Sequence, residues 1–556
     1  MEKKAILAIV LSLVVLVGWS LFFGPGKEQA PKKTEIPEDR ALEELSKTPE
    51  ARVMTPSIPP QVPAKPESRI IPASHEKEIE IETPLYRAVF SNAGPTIRSF
   101  KLKKYQETTD PDSPLIELVS LEKDMGDFLL VNFDNRSAPE DTTTICEVDQ
   151  ERIQIGPESS PKDLVFHSIT PHGVSVSHTF RFYPDRYNIE LAVDVANQTG
   201  ETIRGSFVSS LRVMPPQGKK SYYSYIGLVL LLNDKLEEVK IKKASEEKVL
   251  RGTINWMAYE DDYFLSAIVP EQKTSKGIFE ASLSPSGLLE GHYLPPSVLI
   301  NPSDQVSSNY TIYLGPRELG ILKEGGKQLA KAVNFGWTDI IAKPLLYALR
   351  FFNQYINNYG VSIILLTILI KILFWPLTHK SYKSMKEMQK LQPRMAKIRE
   401  KYKNNKEQLN REMMALYKTY KVNPMGGCLP MIVQIPVFFA LFRILGSCIE
   451  LRHAPFMLWI TDLSAPGRLF SFSFKIPFMA PPYGIPVLTL LMGASMFIQQ
   501  KMTPTPGDPA QAKIMMFLPV IFTFMFINFP SGLVLYWLVN NILSIGQQYR
   551  IHRSPK

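Results

Sequence analysis

One residue in this 556-residue chain stands in surroundings that demand a compensating chemistry. Lys371 lies inside Ile363-Ile364-Leu365-Leu366-Thr367-Ile368-Leu369-Ile370-Lys371-Ile372-Leu373-Phe374-Trp375, a run with no other charge. A Lys near the centre of a membrane span costs ~2.5–3.5 kcal/mol on insertion scales. Three readings answer that cost. The amine snorkels to an interface about 9 Å away at helical rise, it pairs with a buried acid, or it faces a water-filled cavity. The later apolar runs hold no Asp or Glu in their interiors, which disfavours the acid. Uncharged polar residues recur instead: Thr367, Gln434, Gln499, Gln500, Asn540, Asn541, Ser544 and Gln547. Asn540, Ser544 and Gln547 share one helical face. This set favours a wet pocket open to one leaflet, since a channel needs polar lining through the whole depth.

Other clusters carry less. Glu260-Asp261-Asp262 stands beside Trp256, Tyr259 and Tyr263 in the manner of a sugar-binding face, but three adjacent acids on a strand cannot all point at one scissile bond. Gly320 to Lys327 has a Gly–Lys spacing one residue off a phosphate-binding loop, and Gln328 replaces Ser/Thr. Cys146, Cys428 and Cys448 form no C-x-x-C pair and read as structural. HExxH and G-x-S-x-G are missing from the sequence. The expectation is a protein that is not an enzyme, with no metal and no cofactor.

The elements that must position Lys371 are apolar spans. Ala5 to Phe23 is uncharged behind Met1-Glu2-Lys3-Lys4 and reads as an uncleaved anchor, because Gly24-Pro25-Gly26 is no cleavage site. Five more spans are expected at about Tyr359–Leu377, Cys428–Ile449, Tyr483–Gln499, Ile514–Phe529 and Leu533–Gln547. The last two are short, which favours tilt or a locally thin bilayer. Residues 378–422 hold thirteen Lys/Arg against four Asp/Glu, a net +9, and Arg550, Arg553 and Lys556 follow in the tail. The positive-inside rule then puts this segment, Lys501–Lys513 and both termini in the cytoplasm, and residues 24–358 outside. The chain's own net charge, also +9, matches that of this one loop and is no spread nucleic-acid signature.

Residues 24–75 contain ten Pro and read as a linker. Residues 76–318 alternate apolar and polar in Glu78–Ile81, Tyr86–Phe90, Ile97–Tyr105, Tyr187–Val193 and Asn309–Tyr313, which predicts a large all-β sandwich. Over 319–358, Trp337, Ile340, Ile341, Leu345, Leu349, Phe352 and Ile356 fall on helical spacing around Pro344, as in an amphipathic helix lying on the membrane surface or packed on the β domain. In 378–422, Met385, Met388, Leu391, Met395, Ile398 and Tyr402, then Leu409, Met413, Leu416 and Tyr420, recur at steps of three and four. Two amphipathic helices form an antiparallel hairpin there, with Pro393 bending the first. Its partners are apolar segments met by the Met-rich seam, anionic lipid, or ribosomal RNA.

Several motifs are similar to those of a known family. Asn423-Pro424-Met425-Gly426-Gly427-Cys428-Leu429-Pro430, Gln434-Ile435-Pro436-Val437-Phe438, Glu450-Leu451-Arg452-His453-Ala454-Pro455-Phe456 and Phe529-Pro530-Ser531-Gly532-Leu533-Val534-Leu535-Tyr536-Trp537 resemble the YidC membrane-protein insertases over about 360–550. Glu82-Thr83-Pro84-Leu85-Tyr86-Arg87-Ala88-Val89-Phe90-Ser91 resembles the periplasmic domain of their Gram-negative form. The resemblance implies a five-helix core over 359–549 with a hydrophilic groove open to cytoplasm and lipid. It also implies a groove charge that attracts the acidic part of a nascent chain. Lys371 stands where the family usually has Arg, keeping the charge and losing the forked guanidinium. By the same resemblance Thr367 and Gln434 line the groove; Asn540 and Ser544 join them from the span polarity. Met431, Pro436, Phe517, Pro519 and Met525 form a hydrophobic slide, with Tyr536 and Trp537 also touching substrate.

The chain is thus expected to be multi-domain: anchor 1–23, linker 24–75, β-sandwich 76–318, interfacial region 319–358, helical core 359–549 and basic tail 550–556. It is expected to span the bacterial inner membrane six times and to act as an insertase and chaperone, alone or with the Sec translocon. Its expected partners are nascent membrane proteins, lipids, Sec components and the ribosome, not DNA. The competing readings are a transporter or channel, and an anchored periplasmic carbohydrate-binding protein.

Overall fold

A computed structural model describes residues 75–553 apart from 120–127, 136–144, 171–172, 216–223, 242, 244–245, 272–275, 421, 423–428 and 504–508. The anchor at 1–23 and nearly all of the linker at 24–75 lie outside the described residues. The described residues belong to one compact unit, Ile70–Lys556.

Alternation builds the β-rich region. In Asn188–Asn197 the side chains alternate between half-buried and buried along the whole strand, because successive residues face opposite sides of a sheet. This strand pairs antiparallel with Gln305–Pro316 on one side and Val174–Phe182 on the other, within a nine-stranded sheet. A six-stranded and a five-stranded sheet complete the region. Apolar faces join them: Phe90 of the five-stranded sheet meets Phe166, Phe180 and Phe182 of the nine-stranded one edge-on or tilted. Between the two larger sheets, the Tyr310 hydroxyl donates to the Phe207 carbonyl at 3.4 Å, and His178 Nε2 lies 2.8 Å from the Val131 carbonyl. Burial holds His178 near pKa 4 and therefore neutral.

The helices follow: α1 (Leu319–Glu324), α2 (Asp339–Ile356), α3 (Tyr359–Lys401), α4 (Lys406–Thr419), α5 (Leu429–Ser447), α6 (Val487–Met502), α7 (Pro509–Phe526) and α8 (Ser531–Arg553). Asn358 caps α3 by accepting from the Val361 amide at 3.1 Å, and Asn405 caps α4 by accepting from Gln408 at 3.0 Å. The expected span and the first helix of the hairpin are one continuous helix, α3, running through Pro376 and Pro393. Among the described residues α3 alone is long and apolar enough to cross a bilayer, while Val433–Ser447 and Ile514–Phe526 are shorter apolar stretches. The span expected at Tyr483 starts later as a helix, at Val487; Tyr483–Ile485 pairs instead with Leu469–Phe472 as a small β-hairpin.

Helix α2 packs on α3 and α5. It buries Ala342, Leu346 and Leu349 and exposes Ile340, Tyr347, Phe351 and Tyr355. Pro344 lies inside it rather than at its start. The β region is clamped to the helices by arginines. Arg452 donates to the carbonyls of Gln106 (2.6 Å) and Glu107 (3.1 Å) beneath the Tyr263 and Phe264 rings. Arg350 of α2 bonds Glu318 at 2.8 Å and lies 3.9 Å from Glu450. Burial pushes the Glu450 carboxyl up to about 7.

Candidate functional site: a polar seam between helices

Helix α8 carries Asn540, Ser544 and Gln547 at steps of four and three, so they line one face. On α3, Thr367, Lys371 and Thr378 fall four and seven apart and line another. The two helices pack with these faces together. The Lys371 amine donates to Ser544 Oγ at 2.7 Å, and Ser544 Oγ donates to the Asn540 carbonyl at 2.7 Å. Gln434 of α5 donates from Nε2 to Asn540 Oδ1 at 3.1 Å, which brings a third helix to the seam. One turn further along, Gln547 Nε2 lies 2.9 Å from Thr378 Oγ1. Beyond that, Lys386 Nζ donates to the Ile551 carbonyl at 2.9 Å. Beside that face of α8, Asn541 donates to Ser495 Oγ of α6 at 3.0 Å.

Lys371 is therefore half-buried against neutral oxygen, and among the described residues no carboxylate lies within ion-pair distance of it. A cation so placed has a hydrogen bond but no counter-charge among the described residues, and a transient anion from elsewhere would find a partner there. The flanks are apolar: Leu369, Ile372, Leu373 and Trp375 of α3 are exposed, as are Val433, Ile435 and Phe439 of α5. On α7, Met516, Phe517, Val520, Ile521, Phe524 and Met525 face outward. So broad an apolar surface marks a lipid or apolar-chain contact rather than a water-facing protein.

The residues expected at the site divide accordingly. Lys371, Ser544, Asn540 and Gln434 meet. Thr367 is buried one turn away, its hydroxyl bonded to the Ile363 carbonyl at 2.7 Å. Phe517 and Met525 lie on the exposed face of α7, whereas Pro519 is buried. Pro436 is half-buried on α5, and the Met431 side chain lies outside the described residues. Tyr536 is buried, and Trp537 sits among Phe438, Phe522 and Phe526 with ring centroids 4.8, 6.2 and 4.7 Å away. Thr378, Gln547 and Ser495 extend the polar seam. Gln547 was visible on its helical face, whereas Thr378 and Ser495 had no local signal to mark them.

The acids at 260–262 do three separate structural jobs. Glu260 is buried 3.1 Å from Arg317, and burial pushes its carboxyl up to about 7. Asp261 Oδ1 accepts from the amides of Tyr263 and Phe264 at 2.7 Å, closing a turn. Asp262 accepts from the Ser224 hydroxyl. Lys327 pairs with Glu271 at 3.1 Å and serves no phosphate loop.

Two family models match consecutive parts of the chain. The one described as YidC periplasmic domain covers residues 78–348, and the one described as 60Kd inner membrane protein covers 351–556. A membrane protein insertase YidC from Syntrophobacter fumaroxidans is 43% identical over 562 residues, covering 100% of both chains. The chain belongs to the YidC family of membrane protein insertases. The homologue from Geobacter metallireducens is 42% identical, covering 100% of this chain and 99% of its own. A solved active YidC insertase with its first transmembrane domain resolved is 19% identical, covers 86% of this chain and 93% of that one, and has a TM-score of 0.37.

Proposed function

We propose that this chain, a membrane protein insertase of the inner membrane, receives the polar flank of a nascent segment at Lys371 while the apolar part slides along exposed α7 and α5. The observation that carries this reading is the Lys371 amine, held by Ser544 with no carboxylate beside it among the described residues and bordered by exposed apolar helix faces. The seam at Lys371, Thr367, Gln434, Asn540 and Ser544 forms the groove. Phe517, Met525, Met431 and Pro436 form the slide, and Pro519, Tyr536 and Trp537 support it from behind. The driving free energy comes from apolar partitioning, aided by a membrane potential worth ~2.3 kcal/mol per charge per 100 mV. No covalent chemistry is needed.

The same reading takes six spans, with both termini and the basic hairpin at 378–422 in the cytoplasm. The β region is a periplasmic sandwich on a linker, and residues 319–358 form an interfacial segment. Substrates are nascent membrane proteins released into lipid. The hairpin and basic tail receive the ribosome, and the chain works alone or beside the Sec translocon. Photo-crosslinkers at positions 371, 431 and 525 test the path: a stalled nascent membrane protein should attach at all three. Attachment at none of them, together with ion conductance in liposomes, would favour the transporter reading.

A further inference from the structure

The small hairpin between α5 and α6 takes no part in the seam, yet its composition and tethering are unusual. Leu469–Ile485 contains Phe470, Phe472, Phe474 and Phe478 and a single charge, Lys475. Phe470, Phe474 and Phe478 point into open space, Phe478 with 86% of its surface exposed. Phe472 and Phe474 stack at 5.2 Å. Phe470 and Phe478 both adopt the left-handed backbone region, at φ 60° and 63°, a conformation a bulky residue keeps only when its surroundings impose it.

The hairpin is also latched to the end of α7. Arg468 donates to the Ile527 carbonyl at 2.5 Å. Asn528 donates to the Phe478 carbonyl at 2.9 Å and accepts from the Ala480 amide at 2.8 Å. Arg468 also reaches Asn528 Oδ1 at 3.4 Å, so four hydrogen bonds bind the hairpin and its leading Arg468 to the two residues following α7. The aromatics are continuous with the exposed apolar faces of the helices they adjoin: Ile485 leads into α6, which exposes Leu490 and Leu491, and α7 ends beside exposed Phe524 and Met525. Rings at the rim of an apolar belt, with one lysine among them, match the headgroup–acyl boundary of a bilayer.

We infer that the hairpin Leu469–Ile485 is an interfacial anchor, seated in the outer leaflet and holding the end of α7 at a fixed depth. This rests on the outward placement of the 450–482 loop proposed above. It adds that the slide is positioned in the membrane by lipid contact outside the helical core.

The test uses the full chain in proteoliposomes. An environment-sensitive fluorophore is attached at Phe474→Cys or Phe478→Cys, with the unsubstituted chain as background for the native cysteines and Lys240→Cys as a solvated reference. Nitroxide lipids labelled near the headgroup should quench both hairpin positions more strongly than lipids labelled near the chain end. Aqueous iodide should quench them severalfold less than Lys240→Cys. Strong iodide quenching without nitroxide quenching would overturn the inference, as would protection from both quenchers, which would mean that protein covers the face. The positioning half has its own readout: replacing Phe474 and Phe478 together by Ser should shift the depth of a label at Met525→Cys, and an unchanged depth would refute it. Impermeant maleimide at Lys475→Cys, in right-side-out and inverted vesicles, reports the topology separately from the depth.

Discussion

Replacing Lys371 by Ala removes the only charge in the 363–375 run and leaves Ser544 and Asn540 in place. A substrate carboxylate about 4 Å from the amine gains ~1 kcal/mol in water and ~4 kcal/mol at an effective dielectric of 20. A half-buried amine bonded to a hydroxyl lies between those limits. The expected loss for a substrate with an acidic translocated flank is therefore between about 5-fold and about 1000-fold, at ~1.4 kcal/mol per decade. A substrate with a neutral flank has no such interaction to lose. Stability should not fall, because an uncompensated charge leaves an apolar run and costs ~2.5–3.5 kcal/mol while present. The assay is protease protection of two otherwise identical substrates inserted into proteoliposomes, with Lys371→Arg as the charge-preserving control. Equal losses for both substrates, or none for either, would refute the electrostatic step; a fall in thermal stability would refute the burial reasoning.

Other outcomes follow from the β region and its clamp. Glu260 has a folded-state pKa raised to about 7, so its favourable contribution is present at low pH and lost as pH rises through that value. Glu450 has the same sign. Stability should drop as pH rises from about 4.5 to about 7, by up to ~3 kcal/mol per group at ~1.4 kcal/mol per pKa unit, and Glu260→Gln should flatten part of the slope in a pH series of melting curves. A Cβ on Gly360 would overlap the Phe456 ring, so Gly360→Ala should cost ~1–3 kcal/mol in denaturant unfolding. Arg452→Ala removes both bonds to the carbonyls of 106 and 107, and limited proteolysis near 107–113 should accelerate while the helical core resists. Phe526→Ala should cost ~3–5 kcal/mol by emptying the space against Trp537, read as a lower melting temperature.

Local pattern made much of this legible. The alternating runs at 78–81, 86–90 and 309–313 all lie in strands, because half-buried strands impose period two. The three-and-four spacing over 385–420 lies in α3 and α4, because helices impose 3.6. Partners distant in sequence were not legible. Thr378 meets Gln547 across 169 residues, and no periodicity encodes such a meeting. The hairpin at 469–485 has strands too short to alternate, and it merged into the neighbouring apolar run. Apolar length also understated helix length: α8 continues to Arg553, past the expected end at Gln547, because charged residues can extend a helix beyond its lipid-facing part. The separation of exposed Phe517 from buried Pro519, two residues apart on α7, likewise depends on which neighbours close over one face.

The 43-residue α3 is long enough, at about 1.5 Å per residue, to carry a push from its Lys401 end to the seam at Lys371. One of its two proline joints is at Pro376, whose ring removes the amide that would have bonded Ile372, the residue next to Lys371. A load docking on the hairpin would swing the shaft about that joint. The Lys371 amine sits beside the pivot, where displacement is smallest, so it would hold its place against Ser544 while the helix beyond Pro376 moved.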